Sequence, residues 1–322
     1  MKKWLLLTAL TVALLFAVAA CADPDAEQND VKPVVMALKG PTGVAMAQMI
    51  DDNETSGAYQ FSVVGAPEEI VAAIGSGTAD IAAMPTNLAA KLYAKTKGDV
   101  QMVAVIAFGS LYLLEAGDEV NSRGDLEGKT IYAAGQGANP QYILEYLLRA
   151  AGLTPGENVE IAYKSEHAEV AALLASGEID LAMLPEPNAS AVMAKNDAVR
   201  VALDLDEVWN EETGSNLTLS CVVARRGFIE AHPKAMDSFL SGLTTSVAYA
   251  KDDSAGAAAL CAKHGIIGNA AIAETAIPHM GLTIVLGQNI EPTVSDYFNM
   301  LFNADPSSVG GALPDADFYY LK

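Results

Sequence analysis

The chain has 322 residues, and 40 acidic against 19 basic side chains give it a formal net charge of −21. A surface of that sign repels phosphate backbones and anionic headgroups, which excludes nucleic-acid binding and electrostatic docking on a membrane. Three cysteines in such a length exclude a disulfide framework as the main support of the fold.

Lys2 and Lys3 precede an apolar run, Trp4 to Val18, that ends in Val18-Ala19-Ala20-Cys21. The run is shorter than the roughly 20 residues a membrane-spanning helix needs, and small residues lead into the cysteine, so residues 1–20 read as a secretory signal with a processing site. Val18-Ala19-Ala20-Cys21 resembles the lipobox of bacterial lipoproteins, which implies lipidation of Cys21 and an extracytoplasmic protein anchored to the membrane by that lipid. An ordinary signal peptide that leaves a free thiol is the alternative. Residues 21–32 are polar and acidic and suit a flexible tether. Without Lys2 and Lys3 the balance is 17 basic to 40 acidic residues, or −23.

From Pro33 strands and helices alternate. Val34–Leu38 reads as a strand, Thr42–Asp51 as a helix, Tyr59–Val64 as a strand, Pro67–Gly75 as a helix, Ile81–Met84 as a strand, Thr86–Thr96 as a helix and Val100–Phe108 as a strand. Apolar strands separated by helices of about ten residues predict βαβ units and a parallel sheet covered on both faces. After the polar loop Gly117–Glu127 the order repeats: strand Gly128–Ala134, helix Asn139–Gly152, strand Val159–Tyr163, helix Glu166–Ser176, strand Ile179–Leu184 and helix Asn188–Lys195.

The repeat is also visible residue by residue. SGTADIAAMP at 76–85 and SGEIDLAMLP at 176–185 stand one hundred residues apart, so Gly77 aligns with Gly177, Asp80 with Asp180 and Pro85 with Pro185; upstream, Glu69 aligns with Glu169. Glycine just past a helix end meets a need for positive φ, and a glutamate in the first turn suits the helix dipole. Periods of 20–50 residues would indicate a solenoid. A period of one hundred indicates two similar lobes.

After Val201 the pattern changes. Leu217–Arg225 is an apolar β-type run, and Pro233–Lys251, Ala255–Lys263, Ala270–Met280 and Thr293–Phe302 read as helices. These helices need a surface to bury against, so the tail is expected to pack on the first lobe. The expected plan is therefore lobe one over 33–114, lobe two over 115–217 and a return to lobe one over 218–322, with crossings near Leu111–Asp118 and Ser215–Val222. Cys221 and Cys261 sit in apolar surroundings and read as small core residues, although a bridge between them stays open.

The lipobox, Leu126-Glu127-Gly128-Lys129-Thr130-Ile131, Gly135-Gln136-Gly137-Ala138-Asn139-Pro140, Ser176-Gly177-Glu178-Ile179-Asp180 and Pro185-Glu186-Pro187 together resemble type II solute-binding proteins of ABC importers. The similarity is to the branch that includes nitrate, sulfonate, taurine and thiamine-pyrimidine binders. It implies an α/β type II periplasmic-binding-protein fold: two lobes, two hinge crossings, a small-molecule ligand held between the lobes, and delivery to a membrane permease. It also implies a monomer that needs no cofactor and no metal.

The loops at strand carboxyl ends are where parallel sheets place ligands. They supply the candidate ligand-binding residues: Lys39, Gly40, Thr42, Thr86, Asn87, Ser110 and Tyr112 from lobe one and the first crossing, and Gln136, Gly137, Ala138, Asn139 and Glu186 from lobe two. Gly40–Thr42 and Gly137–Asn139 run into helix N-termini, which suits an anionic head group. The neutral polar residues serve equally as caps and turn formers. Lys39 is the only cation in these loops, which argues against a bare inorganic anion, and Glu186 could accept from an amine or heterocyclic N–H. Phe108, Tyr112 and Tyr142 read as stacking groups or as core. The expected ligand is small and organic, polar or weakly anionic, with an aromatic or heterocyclic ring as one option.

Gly135-x-Gly137 lacks the third glycine of a dinucleotide fingerprint because position 140 is proline. His167, His232, His264 and His279 show no metal-ligand spacing, and no G-x-S-x-G occurs, so no catalytic residue is assigned. Enzymes built on this architecture, such as pyrimidine synthases and a menaquinone-pathway dehydratase, and partners of membrane sensors, are the alternatives.

Overall fold

The computed structural model describes residues 31–136 and 139–322. The signal segment, Cys21, most of the expected tether, Gly137 and Ala138 lie outside the described residues. Numbered in chain order, the first sheet holds β1 (Val34–Leu38), β2 (Gln60–Val64), β3 (Ile81–Pro85), β4 (Val100–Phe108), β10 (Thr218–Arg225) and β11 (Leu282–Val285). The second holds β5 (Leu111–Ala116), β6 (Thr130–Ala134), β7 (Glu160–Lys164), β8 (Leu181–Pro185) and β9 (Val199–Asp204). The strand orders are β11-β4-β10-β3-β1-β2 and β7-β6-β8-β5-β9.

The helices of lobe one are α1 (Pro41–Val44), α2 (Ala47–Ser56), α3 (Pro67–Ser76) and α4 (Thr86–Thr96); those of lobe two are α5 (Asn139–Ala150), α6 (His167–Ser176), α7 (Asn188–Met193) and α8 (Leu205–Thr213). The tail carries α9 (Arg226–Ala231), α10 (Pro233–Asp252), α11 (Ser254–Lys263), α12 (Ala270–Ala276) and α13 (Ile290–Ala304). The fold is thus an α/β type II arrangement of two lobes. No helix among the described residues is long and apolar enough to cross a membrane.

The sheets are mixed rather than wholly parallel. β1 runs parallel to β2 and β3, and β6 parallel to β7 and β8, as the βαβ pattern requires. β10, however, runs antiparallel to β3 and β4, and β5 antiparallel to β8 and β9. The connectivity explains the reversal. β4 ends at Phe108 on the carboxyl side of its sheet, and after the two-residue corner Gly109–Ser110 β5 enters the second sheet beside Pro185, at the carboxyl end of β8. A strand that enters from that end must run against its neighbours. The return is made the same way: Thr218 faces Phe108, and Ser220 faces Pro85.

The first crossing is therefore the corner Gly109–Ser110, and all of Leu111–Ala116 belongs to the second sheet, so the expected junction after residue 114 falls inside β5. The return crossing lies between Thr213 and Thr218.

Helices and strands unread in the sequence, β9, α8 and β11, lie at a sheet edge or beside a crossing. The expected helix Thr42–Asp51 is broken into α1 and α2, and Ala270–Met280 ends as a short 3-10 turn at Ile277–His279. On one face of the first sheet, Val35, Ala83, Ile106 and Val222 pack with Phe239, Leu243, Ile266 and Ile277 of the tail. Each such buried Val, Leu, Ile or Phe side chain contributes about 1.5–3 kcal/mol. The opposite face shares a core with lobe two. There α13 packs on α5, and Trp209 of α8 meets Tyr297 of α13 at 6.2 Å. The tail thus packs on lobe one and touches lobe two as well. Cys221 and Cys261 are free, buried thiols, each pushed up to about 12 by burial.

Candidate functional site

Because both crossings join carboxyl ends, the loops that end the parallel strands of the two lobes open toward one another. Pro85 and Pro185 both sit beside a crossing, paired with Ser220 and Leu111. The site is therefore built from the first turns of the helices that follow.

In lobe one, α4 begins at Thr86 directly after Pro85, with no side-chain cap on its first turn. Its first N–H groups have no intrahelical acceptor, and the dipole adds partial positive charge there. Thr86 is fully buried, and its Oγ1 has no oxygen or nitrogen partner; the polar group it approaches is the weakly accepting Cys221 sulfur. The Cys221 thiol beside it donates to the Met84 carbonyl instead, at 3.7 Å. Asn87 is also buried. In lobe two, α5 begins at Asn139, whose Oδ1 is likewise buried and unpartnered, and no acidic residue lies in the first turn. A buried polar atom without a partner costs about 1–3 kcal/mol, so each of these oxygens marks a place where a further group would be stabilised.

The other candidate residues fall into three groups. Lys39 and Gln136 are exposed. Thr42 donates to the Leu38 carbonyl at 2.8 Å and serves the turn, and Gly40, at φ +87°, caps a helix of only four residues. Ser110, at φ +66°, is buried in the first crossing, and its carbonyl accepts from Glu186 N at 3.0 Å.

Tyr112 is buried, and its hydroxyl donates to the His279 carbonyl of lobe one at 2.6 Å, a direct tie between the lobes. Burial, then the charges of Asp204 and Glu186, hold that phenol above its usual range. Glu186 is buried and accepts from Ser190 Oγ at 2.9 Å and Ser190 N at 3.2 Å. Burial raises its carboxyl, opposed by the two Ser190 bonds and the nearby His279. Of the aromatic candidates, Tyr142 donates to Asp305 at 2.9 Å, a second tie between the lobes.

Two further groups sit at these strand ends. His167, the first residue of α6, has a buried, unpartnered Nδ1, and burial lowers its basicity. The Tyr163 hydroxyl near the end of β7 is also buried and unpartnered; its place in an apolar strand run gave no sign of this. Asp51, Glu54 and His264 are close enough to hold a cation, but Lys263 Nζ already lies 2.5 Å from Asp51 and 2.7 Å from Glu54, so the cluster is an ion-pair network on outer helices. A surface cavity of about 430 Å³ lined by Glu115, Lys129, Tyr132 and Asp180 lies at the amino ends of the parallel strands β6 and β8, the end where parallel sheets do not place ligands.

The two-lobed fold with facing strand ends defines a class of binding proteins. The family model described as ABC transporter, phosphonate, periplasmic substrate-binding protein matches residues 16–268, and the chain belongs to that family. No curated protein matches the chain. Among solved structures it is similar to an ABC transporter protein from Parabacteroides distasonis, with 24% identity and TM-score 0.79 over 91% of this chain and 100% of that one. It is also similar to the periplasmic aliphatic sulphonate binding protein SsuA from Escherichia coli, with 20% identity and TM-score 0.70 over 88% and 92%. The periplasmic nitrate-binding protein NrtA from Synechocystis PCC 6803 matches at 11% identity and TM-score 0.55 over 80% and 74%. At these identities the likeness to solved structures shows the fold.

Proposed function

We propose that this chain is the extracytoplasmic, lipid-anchored binding subunit of an ABC importer, which captures a small organic solute between its lobes and hands it to a membrane permease. It acts as a monomer and as a binder rather than an enzyme. One observation carries the reading: Thr86 Oγ1 and Asn139 Oδ1 are buried and unpartnered at the first turns of α4 and α5, one in each lobe. A hydroxyl donates to an anionic oxygen, whereas an amide oxygen needs a donor. The pair suits a ligand that carries both, with its head group at the helix N-termini.

The charge of the site narrows the class. Lys39 is exposed, and Glu186 is a buried carboxyl near the same crossing. This supports a polar or singly charged organic ligand with an N–H, aromatic or heterocyclic included, over a bare oxyanion. Asn87 and Ser110 complete the polar lining. The names of the relatives, for phosphonate, aliphatic sulphonate and nitrate, supply head groups consistent with a helix N-terminus.

The reading is checked by isothermal titration with taurine, ethanesulfonate, 2-aminoethylphosphonate, an aminopyrimidine, nitrate and sulfate. Micromolar or tighter binding of an organic member, weakened at least tenfold in Thr86→Ala and in Asn139→Ala, is expected. Binding of nitrate or sulfate alone would remove the proposed ligand class.

A further inference from the structure

The crossings between the lobes converge on one side chain. Gly109, in the first crossing, has φ +60°, and an added Cβ would lie 2.6 Å from Asp206 Cβ and 2.8 Å from its Cγ. Gly109 N donates to the Leu217 carbonyl, in the return crossing, at 2.7 Å. Leu217 N in turn donates to Asp206 Oδ1 at 2.9 Å. Asp206 lies in the first turn of α8, whose cap Asp204 accepts from Asp206 N at 2.9 Å.

Further along α8, the segment leading into the return crossing is held to the same helix. Trp209 Nε1 donates to Ser215 Oγ at 3.2 Å, Asn210 Nδ2 donates to the Ser215 carbonyl at 3.1 Å, and the Thr213 and Ser215 hydroxyls lie 2.8 Å apart. Residues 213–217 are therefore fastened to lobe two. Among the described residues, the first crossing meets α8 at Gly109, which packs on Asp206 and bonds to Leu217.

We infer that Asp206 is the positioning residue of the hinge: its carboxylate, carried on α8, joins both crossings at one point, so they turn as a single pivot at Phe108–Gly109 and Leu217–Thr218. The inference rests on the reading that the lobes move around a captured solute. It adds which atoms couple the two strands. Without the carboxylate, Leu217 N loses its acceptor and Gly109 loses the surface that holds it, so each crossing bends independently and the lobes sample more orientations.

The test measures lobe separation without added solute, so its failure and the failure of the solute-binding reading are separate results. Spin labels go on Gly65→Cys, where an added Cβ meets nothing within 4 Å, and on Ser165→Cys, its exposed counterpart in lobe two. The full chain carries Cys21→Ser, while Cys221 and Cys261 are buried. Double electron–electron resonance is expected to give a distance distribution that widens at least twofold in Asp206→Ala and keeps its parental width in Asp206→Asn, whose amide oxygen still accepts from Leu217 N. An unchanged width in Asp206→Ala, or equal widening in Asp206→Asn, would overturn the assignment. If Asp206→Ala does not fold, hydrogen exchange on the unaltered chain decides: the Gly109 and Leu217 amides should share one protection factor within threefold, and a tenfold difference would overturn it.

Discussion

Residues 76–85 and 176–185 have nearly the same backbone and different surroundings. Both helices end on a left-handed glycine, Gly77 at φ 78° and Gly177 at φ 75°, and both following strands are buried through four residues and end on a proline. The aspartates diverge. Asp80 pairs with Arg225 at 2.6 Å and accepts from Val34 N at 3.0 Å, whereas Asp180 is exposed and without an ion pair among the described residues. Past the prolines the divergence widens, from buried Thr86 with an unpartnered hydroxyl to buried Glu186 bonded to Ser190. The two repeats keep the groups that shape the backbone and differ in the residues that follow the prolines, so the same scaffold carries different chemistry at the two strand ends.

The largest expected effect tests the shared part. Ile81→Ala and Leu181→Ala each empty a buried strand position and should cost about 3 kcal/mol alike in urea unfolding. A cost confined to one lobe would break the equivalence. Next, Asp80→Ala should cost about 2 kcal/mol, since Arg225 and Val34 N lose a partner, whereas Asp180→Ala should stay within about 0.5 kcal/mol. Smaller still, Gly77→Ala and Gly177→Ala should each cost about 1 kcal/mol, because both positions need positive φ.

The smallest effect is one of pH. His167 stands where lobe one has Pro67, and its folded-state pKa lies below 6.5 because of burial. Below pH 6.5 the folded ring therefore binds fewer protons than the unfolded one, and stability falls as pH falls through that range. Chemical denaturation between pH 7.5 and 5 should show this loss reduced in His167→Gln; an identical slope would contradict it.

The repeat made most of the scaffold legible, because the signals that mark it are local: glycine after a helix, glutamate in a first turn, four apolar residues before a proline. Glu69 and Glu169 behave alike, each reaching back to a backbone N–H, of Ala66 and Ser165. The antiparallel entry of β5 and β10 was not legible, since it depends on pairing between residues such as Leu111 and Pro185 that lie far apart in sequence. Neither was α8, whose acidic LDEVWNEET hides a fully buried Trp209. Of the candidate site, Thr86 and Asn139 were legible from loops at strand carboxyl ends, and both are the first residues of helices that follow such strands. That Tyr112 is spent on His279 across the lobes required the fold.

The central claim is tested most directly by a crystal structure of the protein with the tightest-binding solute of the panel. The account predicts density between the lobes, within hydrogen-bond distance of both Thr86 Oγ1 and Asn139 Oδ1. Solute bound on an outer face such as the cavity beside Glu115 and Lys129, with those two oxygens still unpartnered, would contradict it.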